Sequence, residues 1–219
     1  MIIRVNNVNI NYEVYGNGAP IILLHGNSES HKIFDKLIDR LKTDYKVYAI
    51  DSRCHGESEN TEKISYELMA DDVIEFAKSL EIEKPIFYGF SDGGIVGLLI
   101  AIKAPYLLSK LIISGANINP SGLSGFNLFF YQLAYFVTRN KLVKMMISEP
   151  DIHVSQLRQI KIPTYVLAGQ RDIIKQSHTK LIADNIPQST LEIISNENHG
   201  SYIVHRDKIY HIIKKYISD

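Results

Sequence analysis

The chain has 219 residues, 45% of them hydrophobic, which suits one globular domain with a small insertion and leaves too little length for two independent domains. Basic and acidic residues balance at 24 each, so no overall positive field favours a nucleic-acid partner. The single cysteine, Cys54, excludes an intramolecular disulfide. Because residues 1–10 lack a secretory signal pattern and no apolar run nears the roughly 20 residues of a membrane span, we expect a soluble, cytoplasmic protein without a membrane partner.

Short apolar segments alternate with helical patterns along the chain. Residues 2–5 and 8–14 predict an antiparallel edge hairpin at the N-terminus. Continuous apolar runs, typical of strands buried on both faces, follow at 21–24, 47–50, 86–88, 111–113 and 165–167. Apolar residues at helical spacing fill the intervals, and a closing helix is predicted over 202–217. The alternation predicts an α/β fold with a mostly parallel, doubly wound sheet that binds ligands at the carboxyl ends of its strands.

One connection, of roughly forty residues between the strands ending near Ala116 and beginning near Pro163, is far longer than usual. We interpret residues 118–159 as a short helical lid, the lid segment, inserted in a core domain formed by 1–117 and 160–219. An apolar stripe at helical spacing runs through it and comprises Phe126, Phe129, Phe130, Leu133, Ala134 and Val137. The stripe is expected to cover either the core or an apolar pocket. The candidate substrate-binding residues of the lid segment are therefore Phe126, Phe129, Phe130 and Tyr131.

The strongest chemical motif is Gly-Phe-Ser-Asp-Gly at residues 89–93, a G-x-S-x-G pattern. It follows an apolar strand and opens the helical run 94–104, which is the context of a nucleophile elbow. Its glycines lack the Cβ atoms that would clash where the strand passes into the helix. The motif therefore predicts Ser91 as a nucleophile at the carboxyl edge of the sheet.

A serine hydroxyl needs an imidazole to accept its proton and a carboxylate to orient that imidazole. Asp172 lies just past the strand predicted at 165–167, and His199 lies between the last strand and the closing helix. The order Ser91, Asp172, His199 is the one that follows a nucleophile elbow of this kind. Taken singly, Asp172 could be a helix-capping acid and His199 an ordinary loop histidine. Their coincidence with the elbow favours the catalytic interpretation.

The tetrahedral intermediate of such a reaction needs two hydrogen-bond donors for its oxyanion. One is the backbone N–H of Asp92, directly after the nucleophile. The other is expected from the loop after the first central strand, where the N–H of Asn27 is the natural candidate. Gly26 lets the backbone approach closely, and His25 is expected to order the loop by hydrogen bonding and not to act in catalysis.

With these residues identified, the chain resembles the α/β-hydrolase superfamily over nearly its whole length. His25-Gly26 resembles the family's oxyanion loop, and residues 51–58 resemble its D-x-R-G-H-G-x-S segment. The elbow and the segments around Asp172 and His199 complete the match. Cys54 departs from the pattern, because glycine is usual there; we interpret it as a small inert side chain and not as a nucleophile.

Residues 89–94 and 114–117 resemble more closely the biphenyl hydrolase-like and valacyclovir hydrolase branch of that superfamily. This resemblance implies small esters as substrates, with amino-acid esters among them. A physical hypothesis accompanies it: the Asp92 carboxylate faces the pocket and attracts a substrate ammonium group near the scissile carbonyl. In the alternative, Asp92 only complements the positive end of its helix.

The function predicted is hydrolysis of a small ester through an acyl-enzyme intermediate, with a small-molecule substrate and no cofactor. A metal is not expected because no His/Asp/Glu cluster shows ligand spacing, and no Gly-rich phosphate loop follows the first strand. The alternatives are a C–C bond hydrolase, peptidase or thioesterase that uses the same residues. A non-catalytic ligand-binding protein on the same scaffold is a further alternative. The sequence leaves a monomer and a homodimer open.

Overall fold

The computed structural model describes residues 1–217, in which one sheet of eight strands lies between two layers of helices. The strands are β1 (Ile2–Val5), β2 (Val8–Tyr15), β3 (Ala19–Leu24), β4 (Tyr45–Ile50), β5 (Ile86–Phe90), β6 (Lys110–Ser114), β7 (Thr164–Arg171) and β8 (Ser189–Asn198). The helices are α1 (Asp35–Leu41), α2 (Tyr66–Ser79), α3 (Asp92–Lys103), α4 (Gly125–Thr138), α5 (Lys141–Ser148), α6 (Val154–Leu157), α7 (Gln176–Asn185) and α8 (Lys208–Ile217).

The strands lie in the order β1-β2-β4-β3-β5-β6-β7-β8. β1 and β2 form an antiparallel hairpin, and β2 also pairs antiparallel with β4. All other pairs are parallel; Ile22 of β3, for example, lies opposite Tyr48 of β4 and Phe87 of β5. The prediction of a mostly parallel sheet with an antiparallel N-terminal hairpin is confirmed. The carboxyl ends of β3, β5, β6, β7 and β8 consequently meet at one edge of the sheet.

The core has two halves because each central strand is covered on both faces. Ile22 and Leu24 of β3 pack on the face that carries α2 and α3, whereas Ile21 and Leu23 pack on the face that carries α1 and α8. Successive side chains of a strand point to opposite faces, so a strand between two helical layers needs apolar residues at every position. The unbroken apolar runs in the sequence follow from this burial.

The closing helix differs from its prediction. It begins at Lys208, and residues 201–205 form turns. His205 has φ +53°, which an α-helix does not accommodate, so a helix starting at residue 202 is excluded. Tyr202 and Ile203 are nevertheless fully buried in the core. Their burial therefore comes from a packed turn and not from a helix.

Within the lid segment, the N–H of Ile152 donates to the carbonyl of Ile118 at 2.8 Å, so these two positions lie side by side. It contains α4, α5 and α6. The apolar stripe of α4 does not cover the core: the helix has no buried residue. Its exposed large apolar side chains, 49–73% accessible, are Phe126, Phe129, Phe130, Leu133, Phe136 and Val137. The division of the chain into core and lid stays a prediction.

We expect the exposed phenylalanines of α4 and the buried phenylalanines of the core to differ sharply in their contribution to stability. Phe129→Ala should change the free energy of unfolding by less than about 0.5 kcal/mol, because the ring is 62% exposed. The matched change Phe76→Ala should cost about 3–5 kcal/mol, because that ring is fully buried against Tyr12 and Tyr48. Urea denaturation of both variants measures the difference. A loss above about 2 kcal/mol for Phe129→Ala would contradict the exposed position of this face.

Candidate active site

Ser91 occupies a strained turn between β5 and α3. Its backbone has φ +53° and ψ −114°, and its N–H donates to the carbonyl of Ser114 at 2.7 Å. A Cβ on Gly89 would lie 2.1 Å from the Gly93 carbonyl oxygen, and one on Gly93 would lie 2.1 Å from the Leu24 carbonyl oxygen. Both distances are far too short for non-bonded atoms, so the turn requires glycine on each side of the serine.

Ser91, His199 and Asp172 form one hydrogen-bonded chain. His199 Nδ1 lies 2.7 Å from Asp172 Oδ1, and His199 Nε2 lies 3.0 Å from Ser91 Oγ. Because an ionised carboxylate can only accept, Nδ1–H is the donor to Asp172, which leaves Nε2 as the acceptor of the Ser91 hydroxyl proton. The structure thus brings together three residues that are far apart in sequence, in the tautomer that general-base catalysis requires.

The Asp172 carboxylate is held by two further backbone donors. Its Oδ1 accepts the N–H of Ile174 at 3.0 Å, and its Oδ2 accepts the N–H of Gly169 at 3.3 Å. The side chain is fully buried, whereas that of His199 is 18% exposed. The acid is therefore fixed within the protein, and the imidazole keeps access to a substrate.

Gly115, at the end of β6, makes room for the imidazole. Its φ is +64°, and a Cβ there would lie 2.7 Å from His199 Cε1. Any larger residue would push His199 away from Ser91. In the sequence, Gly115 is recognisable only as part of the motif at 114–117, and the signal for this function is a glycine directly after a buried strand.

His25 orders the loop that follows β3, as predicted. Its Nδ1–H donates to the Gly26 carbonyl at 2.7 Å, and its Nε2 accepts the N–H of Ser52 at 3.1 Å. Complete burial lowers the pKa of His25 to about 4, so the ring is neutral at neutral pH and keeps this donor–acceptor pattern. The carbonyl of His25 also accepts the N–H of Gly93, which fastens the loop to the start of α3.

The two backbone donors predicted for an oxyanion are both available. Asp92 is the first residue of α3, and the first N–H groups of a helix have no partner within it. Within residues 1–217, neither the Asn27 N–H nor the Asp92 N–H donates to another group. Asn27 lines the cavity beside Ser91. Within the described part of the chain, both N–H groups therefore lack a partner, as donors to an oxyanion would.

The Asp92 carboxylate does not face that cavity, contrary to the hypothesis that it attracts a substrate ammonium group. It is 2% exposed; its Oδ1 accepts from the Tyr66 hydroxyl at 2.8 Å and its Oδ2 from Asn27 Nδ2 at 2.9 Å. Burial raises its pKa, which these hydrogen bonds oppose. Asn27 Nδ2 also lies 3.4 Å from the carbonyl of Leu142 in α5. The carboxylate thus joins α2, α3 and the loop that carries Asn27.

Substitution of Asp92 tests this connection. Asp92→Leu leaves the Tyr66 hydroxyl and the Asn27 amide unpaired, so we expect kcat to fall about 10- to 100-fold with a smaller change in KM. Asp92→Asn keeps an acceptor for Asn27 and should restore much of the loss. Asp92→Asn should also affect cationic and neutral esters alike, because the carboxylate is turned away from the cavity. Steady-state kinetics with both ester types measure this, and a kcat of wild-type size in Asp92→Leu would contradict it.

A cavity of about 170 Å³ lies against Ser91 and His199. Its apolar wall is formed by Phe90, Met146, Ile173 and Val204, and its other polar side chains are Asn27, Glu29 and Tyr131. Of the four candidate residues in the lid segment, Tyr131 lines this cavity, whereas Phe126, Phe129 and Phe130 do not. They lie on the opposite, exposed face of α4. Met146 and Glu29 were missed as lining residues, although Glu29 follows Asn27 by only two positions.

Cys54 lies outside this cavity and adopts φ +63°, the left-handed conformation that glycine reaches without strain. Its Sγ is 3.3 Å from Thr61 Oγ1. Among residues 1–217, no group of three or more His, Cys, Asp or Glu side chains is placed to hold a metal ion. In the same part of the chain, no helix is both long enough and apolar enough to cross a membrane.

A family model described as "alpha/beta hydrolase fold" matches residues 19–143. The chain is 26% identical to the sn-1-specific diacylglycerol lipase ABHD11 of Danio rerio, over 89% of this chain and 56% of that protein. It is 28% identical to the AB hydrolase superfamily protein YisY of Bacillus subtilis, over 93% of each chain. The chain thus spans little more than half the length of the first relative and nearly all of the second.

Solved structures show the same architecture. Est816, described as an N-acyl homoserine lactone degrading enzyme, superposes with a TM-score of 0.82 at 22% identity. The match covers 99% of this chain and 100% of Est816. At this level of identity the similarity establishes the fold alone.

Proposed function

Because the chain belongs to the alpha/beta hydrolase family and is a hydrolase of that fold, we propose that it cleaves small carboxylic esters through an acyl-enzyme formed on Ser91. The observation that carries the proposal is the hydrogen-bonded chain from Ser91 through His199 to Asp172 at the edge of a cavity of about 170 Å³. This arrangement supplies a nucleophile, a base and an orienting acid in the geometry that acyl transfer requires.

The proposed reaction begins when Ser91 Oγ attacks the ester carbonyl and its proton passes to His199 Nε2. Asp172 stabilises the resulting imidazolium, and the N–H groups of Asn27 and Asp92 bind the oxyanion. As the intermediate collapses, the bond to the alcohol oxygen breaks and the alcohol leaves with the proton from His199. Water then attacks the acyl-enzyme with His199 as base, which releases the acid and restores Ser91. These steps need no cofactor.

The cavity favours a short substrate with one apolar part. Met146, Ile173 and Val204 offer a hydrophobic wall, while the polar groups lie beside Ser91. Among the relatives, ABHD11 is named as a diacylglycerol lipase, and this description supports ester cleavage. The cavity volume of about 170 Å³ supports small esters.

Incubation with 4-nitrophenyl acetate and with a fluorophosphonate probe tests the proposal. We expect release of nitrophenol and a covalent label on Ser91, identified by peptide mass spectrometry. Labelling without turnover of any ester would indicate that the same residues cleave a C–C bond, a peptide or a thioester instead. The absence of both turnover and labelling would refute the enzyme function and leave a ligand-binding protein on this scaffold.

A further inference from the structure

One carboxylate in the cavity takes no part in the proposed reaction. Glu29 lies in the loop after β3 and lines the cavity together with Ser91 and His199. A Cβ built on Gly26 would lie 2.7 Å from Glu29 Oε2 and 3.1 Å from Ser91 Cβ. The carboxylate oxygen and the nucleophilic residue therefore both lie close to the same point beside Gly26.

Within the described residues, only one of the two carboxylate oxygens of Glu29 accepts a hydrogen bond. Glu29 Oε2 accepts the N–H of Gly26 at 3.0 Å, which closes the turn of the loop. No described residue donates to Glu29 Oε1. A glutamine would accept the same N–H as well as a glutamate does. The turn thus explains an acceptor at this position but does not explain a negative charge.

Nothing in the cavity wall neutralises that charge permanently. No Lys or Arg lines the cavity, and the ionisable groups beside Glu29 are His199 and Tyr131. Burial raises the pKa of Glu29, the hydrogen bond from the Gly26 N–H and the nearby His199 oppose the increase, and Asp92 adds to it. A partly buried carboxylate without a cationic partner is unfavourable, and such groups concentrate at functional sites.

The surroundings of Glu29 suit an organic cation. Tyr131 lines the same cavity, and its hydroxyl forms no hydrogen bond with the described residues. Two aromatic residues, Phe90 and Tyr131, line the cavity and can contribute cation–π attraction to a positive group, and the Asn27 side chain is already bonded to Asp92. Glu29 Oε1 and the Tyr131 hydroxyl are consequently two acceptors left open for N–H donors.

From this geometry we propose that Glu29 forms a cation subsite, and that the ester cleaved at Ser91 carries an ammonium or guanidinium group. This inference rests on the proposed esterase function and names its substrate class. The cation replaces the missing partner of the carboxylate and holds the scissile carbonyl beside Ser91. In the competing interpretation, Glu29 only stabilises the His199 imidazolium, which would assist every ester equally.

Two pairs of esters that differ in charge and not in shape test the subsite. Benzyl 3-aminopropanoate against benzyl butanoate probes a cation on the acyl side, and butyrylcholine against 3,3-dimethylbutyl butanoate probes one on the alcohol side. In at least one pair, we expect kcat/KM to favour the cationic ester about tenfold or more. Glu29→Gln should abolish that preference, because it keeps the acceptor for Gly26 and removes the charge. The matched control is Glu83→Gln, an exposed residue before β5, which should keep the preference.

The wild-type enzyme offers a second readout that needs no variant. In the pair that shows the preference, the ratio of kcat/KM for the cationic ester to that for its neutral isostere should fall as pH drops through the raised pKa of Glu29, since protonation removes the charge. Any loss of activity at low pH that is common to both esters cancels in the ratio. A wild-type ratio near one in both pairs, or equal losses in Glu29→Gln, would overturn the cation subsite alone. If the enzyme neither turns over any of these esters nor is labelled on Ser91, the proposed function is refuted and the subsite with it.

Discussion

Replacement of Ser91 by alanine should lower kcat for 4-nitrophenyl acetate on the order of 10⁶-fold and abolish fluorophosphonate labelling. The reason is that Oγ is the atom that lies 3.0 Å from His199 Nε2, and alanine removes it. Alanine has nearly the same shape and tolerates the positive φ about as well as serine does. The free energy of unfolding should therefore change little.

The control for this variant is Ser79→Ala, at the exposed end of α2, which should keep wild-type kinetics. Circular dichroism and urea denaturation of Ser91→Ala separate loss of chemistry from loss of fold. Residual activity within about tenfold of wild type would contradict Ser91 as the nucleophile. Loss of activity together with loss of the folded state would instead show that the turn depends on the hydroxyl.

Asp172→Asn is expected to lower kcat by about 10³- to 10⁴-fold, with a smaller change in KM. The carboxylate accepts His199 Nδ1–H at 2.7 Å and so leaves Nε2 free to accept the Ser91 proton. An asparagine amide directed at Nδ1 would stabilise the opposite tautomer, in which Nε2 carries the proton and cannot act as base. The loss is therefore expected in the chemical step.

The matched control is Asp184→Asn in α7, where the side chain is exposed and far along the chain from the cavity. Its kinetics should equal those of the wild type. Because the backbone N–H groups of Gly169 and Ile174 also donate to Asp172, some loss of stability should accompany Asp172→Asn. A kcat within about tenfold of wild type would assign the orienting role to another acid.

The features that local sequence could predict are those whose cause is local. The glycines around Ser91 are required within one turn, and the strand before it and helix after it follow from periodicity. The central strands were recognisable because burial on both faces forces continuous apolar runs. Asp172 and His199 needed one further assumption, that successive strands end at the same edge of the sheet. The order β5-β6-β7-β8 is what brings their loops to Ser91.

Other features depend on contacts between distant segments. The apolar stripe of α4 predicted a helix correctly, but a periodic pattern specifies which side chains share a face and not what that face contacts. The turns before α8 bury Tyr202 and Ile203 as a helix would, so composition could not distinguish a turn from a helix at these positions. The sequence shows an aspartate at position 92 whether its carboxylate attracts a substrate or only complements the positive end of its helix. Only the positions of Tyr66 and Asn27 show that it faces away from the cavity.

The sequence by itself therefore determined the α/β architecture, the nucleophile elbow and the three residues that form the hydrogen-bonded chain. The tertiary structure decided which charged side chains line the cavity: it turned Asp92 into the protein and left Glu29 in the cavity wall. The physical reason is the range of the interactions. Backbone strain and apolar periodicity act between neighbours along the chain, whereas desolvation and hydrogen-bond partnership depend on every segment packed around a group.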